Sequence, residues 1–211
     1  GRLIGVINID DVVEIVHEET NEDMMLLTGA ESNDVYRSVF SIFKSRSIWL
    51  VTNLFATIVA ASVVGEFQDI IAQLSILAVL MPIVASMGGT TGQQTLAVVV
   101  RSLATKELNS RNALRMIGKE FMVGLCNGLL FAVMIGIAVR IWFPGQEMIS
   151  YIIALAMLCN LTVASLAGIL IPLTINRLKI DPAIASGVFL IACTDSGGYF
   201  IFLGLAKLLL F

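Results

Sequence analysis

The sequence predicts an all-α membrane protein with five transmembrane helices per subunit, and three observations carry that prediction. Hydrophobic residues fill 57% of the 211 positions and charged residues only 14%, with mean hydropathy +0.91. A water-soluble domain needs more polar surface than that. Five apolar runs follow one another: about Ile48–Val64, Ile70–Val100 (interrupted), Phe121–Phe143, Met148–Ile175 and Ala183–Phe211. Most reach the roughly 20 residues that a spanning helix needs. Hydrocarbon offers backbone amides no outside partner, so each run pairs its own as a helix.

The segment before the first run has a different character. Nine of the 16 acidic residues lie in the first 34 positions, opposed there by Arg2 alone. LIGVINI, up to Ile9, reads as a strand. Asp10-Asp11 is expected to cap a short helix and Thr20 a second, with Asp23 at its capping-box position. From about Asp34 an amphipathic helix, VYRSVFSIFKS, leads into the membrane. The chain is expected to be a segment of a longer protein, because Gly1 falls inside the expected strand. Gly1 to Asp23 also lacks the charged start and apolar run of a secretory leader. The expected division is therefore 1–23, the end of a cytosolic domain; 24–47, a connecting helix; and 48–211, the membrane domain.

Basic residues set the expected orientation. Arg37, Lys44 and Arg46 precede the first span, five more from Arg101 to Lys119 separate the second and third, and Arg177 and Lys179 separate the fourth and fifth. The other side has Arg140 and Lys207. The positive-inside rule puts the N-terminus in the cytoplasm and the C-terminus outside a multi-pass plasma-membrane protein. Five spans are too few for an inverted-repeat transporter in one chain, so a complete pathway calls for a second copy.

Polar chemistry enters the membrane at two places. In the second run, MGGTTGQQT (87–95) interrupts the apolar pattern. Gly88, Gly89 and Gly92 are expected to loosen the helix after Pro82, and Thr90, Thr91, Gln93 and Gln94 are costly to expose to lipid. This fits a kinked, pore-lining helix, or close helix packing through small residues. In the fifth run Asp195 sits deep in LIACTDSGGYFIF, flanked by Thr194, Ser196, Gly197 and Gly198. A carboxylate at that depth marks an ion path, or else is paired with Arg140 or held protonated. In the fourth run Asn160, Thr162 and Ser165 fit packing at least as well as a pore, as does Asn127 in the third.

These features bound the function. Cys126, Cys159 and Cys193 lie in apolar runs without metal-site spacing, and His17 is the only histidine. One deep acid without a second acid, or a nucleophile with its base, leaves no complete enzyme constellation, so no enzyme is expected. No nucleic-acid partner is expected either; the partners are lipid and divalent cations. One carboxylate per subunit with amide and hydroxyl oxygens suits a hard cation that keeps its waters, such as Mg²⁺, without separating it from Ca²⁺ or Mn²⁺. The acidic N-terminal segment fits either divalent binding or an ordinary solvated face.

Three stretches together carry a resemblance to the MgtE family of magnesium channels. GRLIGVINIDDVVEIVHEETNEDM resembles the end of a second cystathionine-β-synthase (CBS) domain running into the family's plug helix. PIVASMGGTTGQQTLAVVVRSLAT resembles its second span, and DPAIASGVFLIACTDSGGYFIFLGLAKLLL its fifth. The resemblance implies a homodimer whose second and fifth spans line one pore, with Asp195 as the acid that binds the transported Mg²⁺. It also implies closure by cytosolic Mg²⁺ at Glu14, Glu19, Glu22 and Asp23. Thr90, Gln93 and Gly187 stand where family members often carry Asn. A secondary transporter coupling Na⁺ or H⁺ to divalent movement is the alternative within the same fold.

Overall fold

The computed structural model describes residues 8–30, 34–108 and 112–210. Its elements are α1 (Ile9–Leu26), a 3₁₀ turn (Asp34–Tyr36), α2 (Val39–Gly65), α3 (Gln68–Gln73), α4 (Ile76–Ala104), α5 (Ala113–Trp142), α6 (Glu147–Arg177) and α7 (Pro182–Leu210). Among the described residues there is no strand. The expected strand falls mostly on residues 1–7, outside the described ones, and its last residue, Ile9, opens α1.

The N-terminal segment corrects three expectations. Asp10 and Asp11 lie inside the first turn of α1, and the Asp11 carboxylate accepts a hydrogen bond from the Asn8 amide at 2.9 Å. That places the cap at Asn8. The helix then runs through Thr20 without a break, because no Gly or Pro interrupts it and a threonine within a helix costs well under ~1 kcal/mol. The stretch 24–47 is not one helix. Gly29, at φ +72°, ends α1 in a turn closed by the Ala30 amide on the Met25 carbonyl at 3.2 Å, the left-handed termination that glycine makes cheap. Ser38 then caps α2, its hydroxyl accepting from the Ser41 amide. The approach to the membrane and the first span form one helix from Val39 onward. Asp34 ties the turn to α2 by accepting from Arg46 at 2.8 Å.

Among the described residues, α2, α4, α5, α6 and α7 are the five helices long and apolar enough to cross a membrane, at 27 to 31 residues each. At 1.5 Å per residue each exceeds a hydrocarbon core of roughly 30 Å. The second run, expected from Ile70, begins as a spanning helix only at Ile76, after the short α3 and a turn at Leu74–Ser75. α6 is the central helix: it packs on α4, α5 and α7, and its Ile152, Ala156 and Leu161 are fully buried. α2 stands at the rim, packs on α7, and leaves Leu54, Phe55 and Ile58 exposed. Apolar side chains facing outward on such a helix are what lipid requires.

Two apolar clusters bracket the bundle. One gathers Leu77, Leu80 and Val84 of α4 with Ile149 and Ile153 of α6 and Phe202 of α7. The other joins Leu96 and Val100 of α4 to Ala183 and Leu190 of α7, and Leu26 and Leu27 at the end of α1 pack against it. Between these clusters lies the level of the polar residues singled out from the sequence.

Candidate cation site

α4 continues as a helix straight through MGGTTGQQT, so the expected loosening is absent. Open helix would leave amides unpaired in hydrocarbon. The threonines add no unsatisfied hydroxyl: Thr90 donates to the Ser86 carbonyl at 2.8 Å and Thr91 to Met87 at 2.9 Å. The glycines serve approach. A Cβ on Gly88 would lie 2.5 Å from the Asn160 amide nitrogen, and one on Gly92 would meet Leu190 at 3.0 Å. A Cβ on Gly168 of α6 would lie 2.6 Å from the Gly92 carbonyl oxygen. Gly89, by contrast, faces open space.

The expected pore residues therefore divide. Gly88 and Thr91 are buried in the bundle, while Thr90, Gln93 and Gln94 are exposed on the outer face of α4. On α7, Thr194 is 2% exposed and donates to the Leu190 carbonyl at 3.0 Å. Gly198 packs on Asn160. The Ser196 hydroxyl is buried with no hydrogen-bond partner. Asn160, 1% exposed, is the pin of this layer: its amide donates to the Val84 carbonyl at 2.7 Å while lying against Gly88 and Gly198. The packing reading of Asn160 is thus the correct one.

Asp195 is half-buried in a recess of about 250 Å³. α2 contributes Thr57, Ala60 and Ala61 to its wall, α4 contributes Met81, and α7 contributes Asp195 and Tyr199. Thr90, Gln93 and Gln94 do not line it. Among the described residues Asp195 forms no ion pair. Arg140, the partner weighed from the sequence, is taken: it donates to Glu147 at 2.7 Å across the α5–α6 connection. The reason is proximity in the chain, since the two residues end α5 and begin α6. An uncompensated carboxylate on a spanning helix, within an open recess, attracts cations.

No three His, Cys, Asp or Glu side chains converge among the described residues. Glu14 and Glu22 are exposed on α1; the side chains of Glu19 and Asp23 lie outside the described residues. Sequence reading passed over three features. Glu120 of α5 accepts from the Thr95 hydroxyl of α4 at 2.9 Å. Tyr199 stands one helical turn beyond Asp195, a spacing that was open to inspection. Thr57 lies in a run that reads simply as lipid-facing.

The sequence profile of the MgtE family, divalent cation transporters, matches residues 81–205, more than half of the chain. The chain belongs to the MgtE family. The matched stretch opens in α4 and closes in α7, and it contains both the α4 motif and Asp195. Bacterial proteins named magnesium transporter MgtE are similar over nearly the whole chain. The Enterococcus faecalis protein is 33% identical over 98% of this chain and 46% of its own length. The Bacillus subtilis protein is 31% identical over 97% and 45%, and the Thermus thermophilus protein 29% identical over 100% and 47%. This chain thus spans about half the length of these MgtE relatives.

Proposed function

We propose that this chain is the membrane part of a magnesium transporter, in which Asp195 binds Mg²⁺ on its way across the bilayer. The observation that carries the reading is the unpaired Asp195 carboxylate in an open recess of a spanning helix, with Arg140 engaged elsewhere. The relatives named magnesium transporters support the choice of ion. Mg²⁺ gives up water reluctantly, which suits a single carboxylate rather than a closed protein cage.

The pathway is completed by a second copy of the chain. Ser86, Thr90, Gln93 and Gln94 leave an exposed polar face on α4, and such a face in hydrocarbon calls for water or protein. The N-terminus lies in the cytoplasm. In support, α1 packs at the α4–α5 and α6–α7 end of the bundle, where Arg101, Lys106, Arg177 and Lys179 gather. Residues 1–23 close a cytosolic sensor domain, and 24–47 link it to the membrane domain that follows from 48. Glu14, Glu19, Glu22 and Asp23 bind cytosolic Mg²⁺ and close the path; the exposed acidic surface of α1 supports that role.

The test is Mg²⁺ uptake by the full-length protein in liposomes. Asp195→Ala is expected to abolish uptake while the protein elutes as the same species as the parent. Uptake at the parent rate would sink the assignment. Neutralising Glu14, Glu19, Glu22 and Asp23 together is expected to leave the path open at Mg²⁺ levels that close the parent. Unchanged closure would remove them from regulation.

A further inference from the structure

We infer that Thr57 of the first span and Tyr199 of the fifth are outer ligands of the cation held at Asp195, accepting hydrogen bonds from its water shell. The inference rests on the proposed role of Asp195 and adds two oxygens and a helix to it. All three side chains line one recess, from opposite walls: Thr57 on α2, Asp195 and Tyr199 on α7. The recess, about 250 Å³, is on the scale of a cation with six waters at roughly 30 Å³ each.

The chemistry of the walls matches a hydrated ion better than a stripped one. Water bound to Mg²⁺ points its hydrogens outward, so its surroundings must accept. The Thr57 hydroxyl proton is already given to the Asn53 carbonyl, at 3.0 Å; only its lone pairs remain. A carboxylate accepts through both oxygens, and a phenolic oxygen also accepts. Ala60 and Ala61 keep the α2 wall short opposite the acid. One turn along α2 from Thr57, the side-chain oxygen of Asn53 is buried without a hydrogen-bond partner, an acceptor that calls for a donor such as water. Thr57 is thus the one polar side chain that α2 brings to the recess, beside Ala60, Ala61 and Val64.

Ca²⁺ sheds water readily to take protein oxygens, whereas Mg²⁺ keeps several waters. Outer ligands of this kind therefore favour Mg²⁺. Hexaamminecobalt(III) serves as the probe: its shell does not exchange and presents N–H donors alone, so it binds where acceptors surround a hydrated cation.

The test measures Mg²⁺ uptake, and its block by hexaamminecobalt(III), for the full-length protein in liposomes carrying Tyr199→Phe, Thr57→Val or Thr57→Ser. Tyr199→Phe and Thr57→Val each keep the side chain's shape and remove an acceptor. Each is expected to raise half-saturating Mg²⁺ three- to tenfold, weaken the block in parallel, and leave the maximal rate within twofold. Thr57→Ser, which keeps the hydroxyl, is expected to match the parent. If both acceptor-free variants keep the parent's half-saturation and block, or lose maximal rate alone, the inference fails while Asp195 stands. If Asp195→Asn transports normally, the site itself is wrong and the inference goes with it.

Discussion

The two sides of α7 follow opposite rules. On the side facing α4 and α6, Thr194 and Gly198 are buried, the hydroxyl is folded back on its own helix, and Asn160 fills the space above glycine. On the side facing α2, one residue further round the helix, Asp195 and Tyr199 border a recess. The first side works by removing atoms: any Cβ at Gly88, Gly92 or Gly168 meets a neighbour at 3.0 Å or less. The second works by leaving room: Asp195 and Tyr199 face the short side chains of Ala60 and Ala61 across a recess of about 250 Å³. The same small and polar residue types thus serve cohesion on one face and border a recess on the other. The register of the helix decides which.

Substitutions can break this contrast. The largest effect is expected from Gly168→Val, which drives a branched side chain into the Gly92 carbonyl. Its loss of stability is expected to reach about 3 kcal/mol, the upper range for overpacking, read as a fall in the unfolding midpoint in detergent. Asn160→Leu, of similar size, removes the bond to Val84 and is expected to cost about 1 kcal/mol. Gly89→Ala and Gly197→Ala enter open space. They are expected to hold or raise stability, by up to ~1 kcal/mol from helix propensity; a loss as large as that of Gly168→Val would erase the distinction between the faces. The smallest effect is expected from Arg140→Gln. Its pair with Glu147 is exposed and worth at most ~1 kcal/mol, and uptake should not change because Asp195 does not depend on it.

The fold was legible because apolar length is a strong signal: five runs yielded five spanning helices. Asp195 was legible for the same reason, as a charge where lipid forbids one. The partition of MGGTTGQQT was not. A string of small and polar residues fits packing or passage equally, and the choice is made by neighbours on α6 and α7 that lie more than 60 residues away in the chain. Gly92 faces Leu190 and Gly168, Gly88 faces Asn160, and none of these pairs can be read from one strand of text. The N-terminal boundaries failed for a local reason. Thr20 offered a cap without a breaker beside it, whereas Gly29 supplied the actual stop. Gly187, read only as a departure from Asn, has the Leu27 carbonyl 3.0 Å from where its Cβ would be, where a longer side chain would push α1 away.

The clasp at Asn160 also constrains how the molecule can move. One amide reaches from α6 to the backbone of α4 while resting on the glycine surface of α7, which rivets those three helices into a single chassis. Widening or narrowing the gap beside Asp195 without undoing that rivet requires α2 to swing against α7. α2 is also the helix that runs without a joint from Val39, so a push applied there arrives at the gap as displacement rather than being absorbed by a hinge.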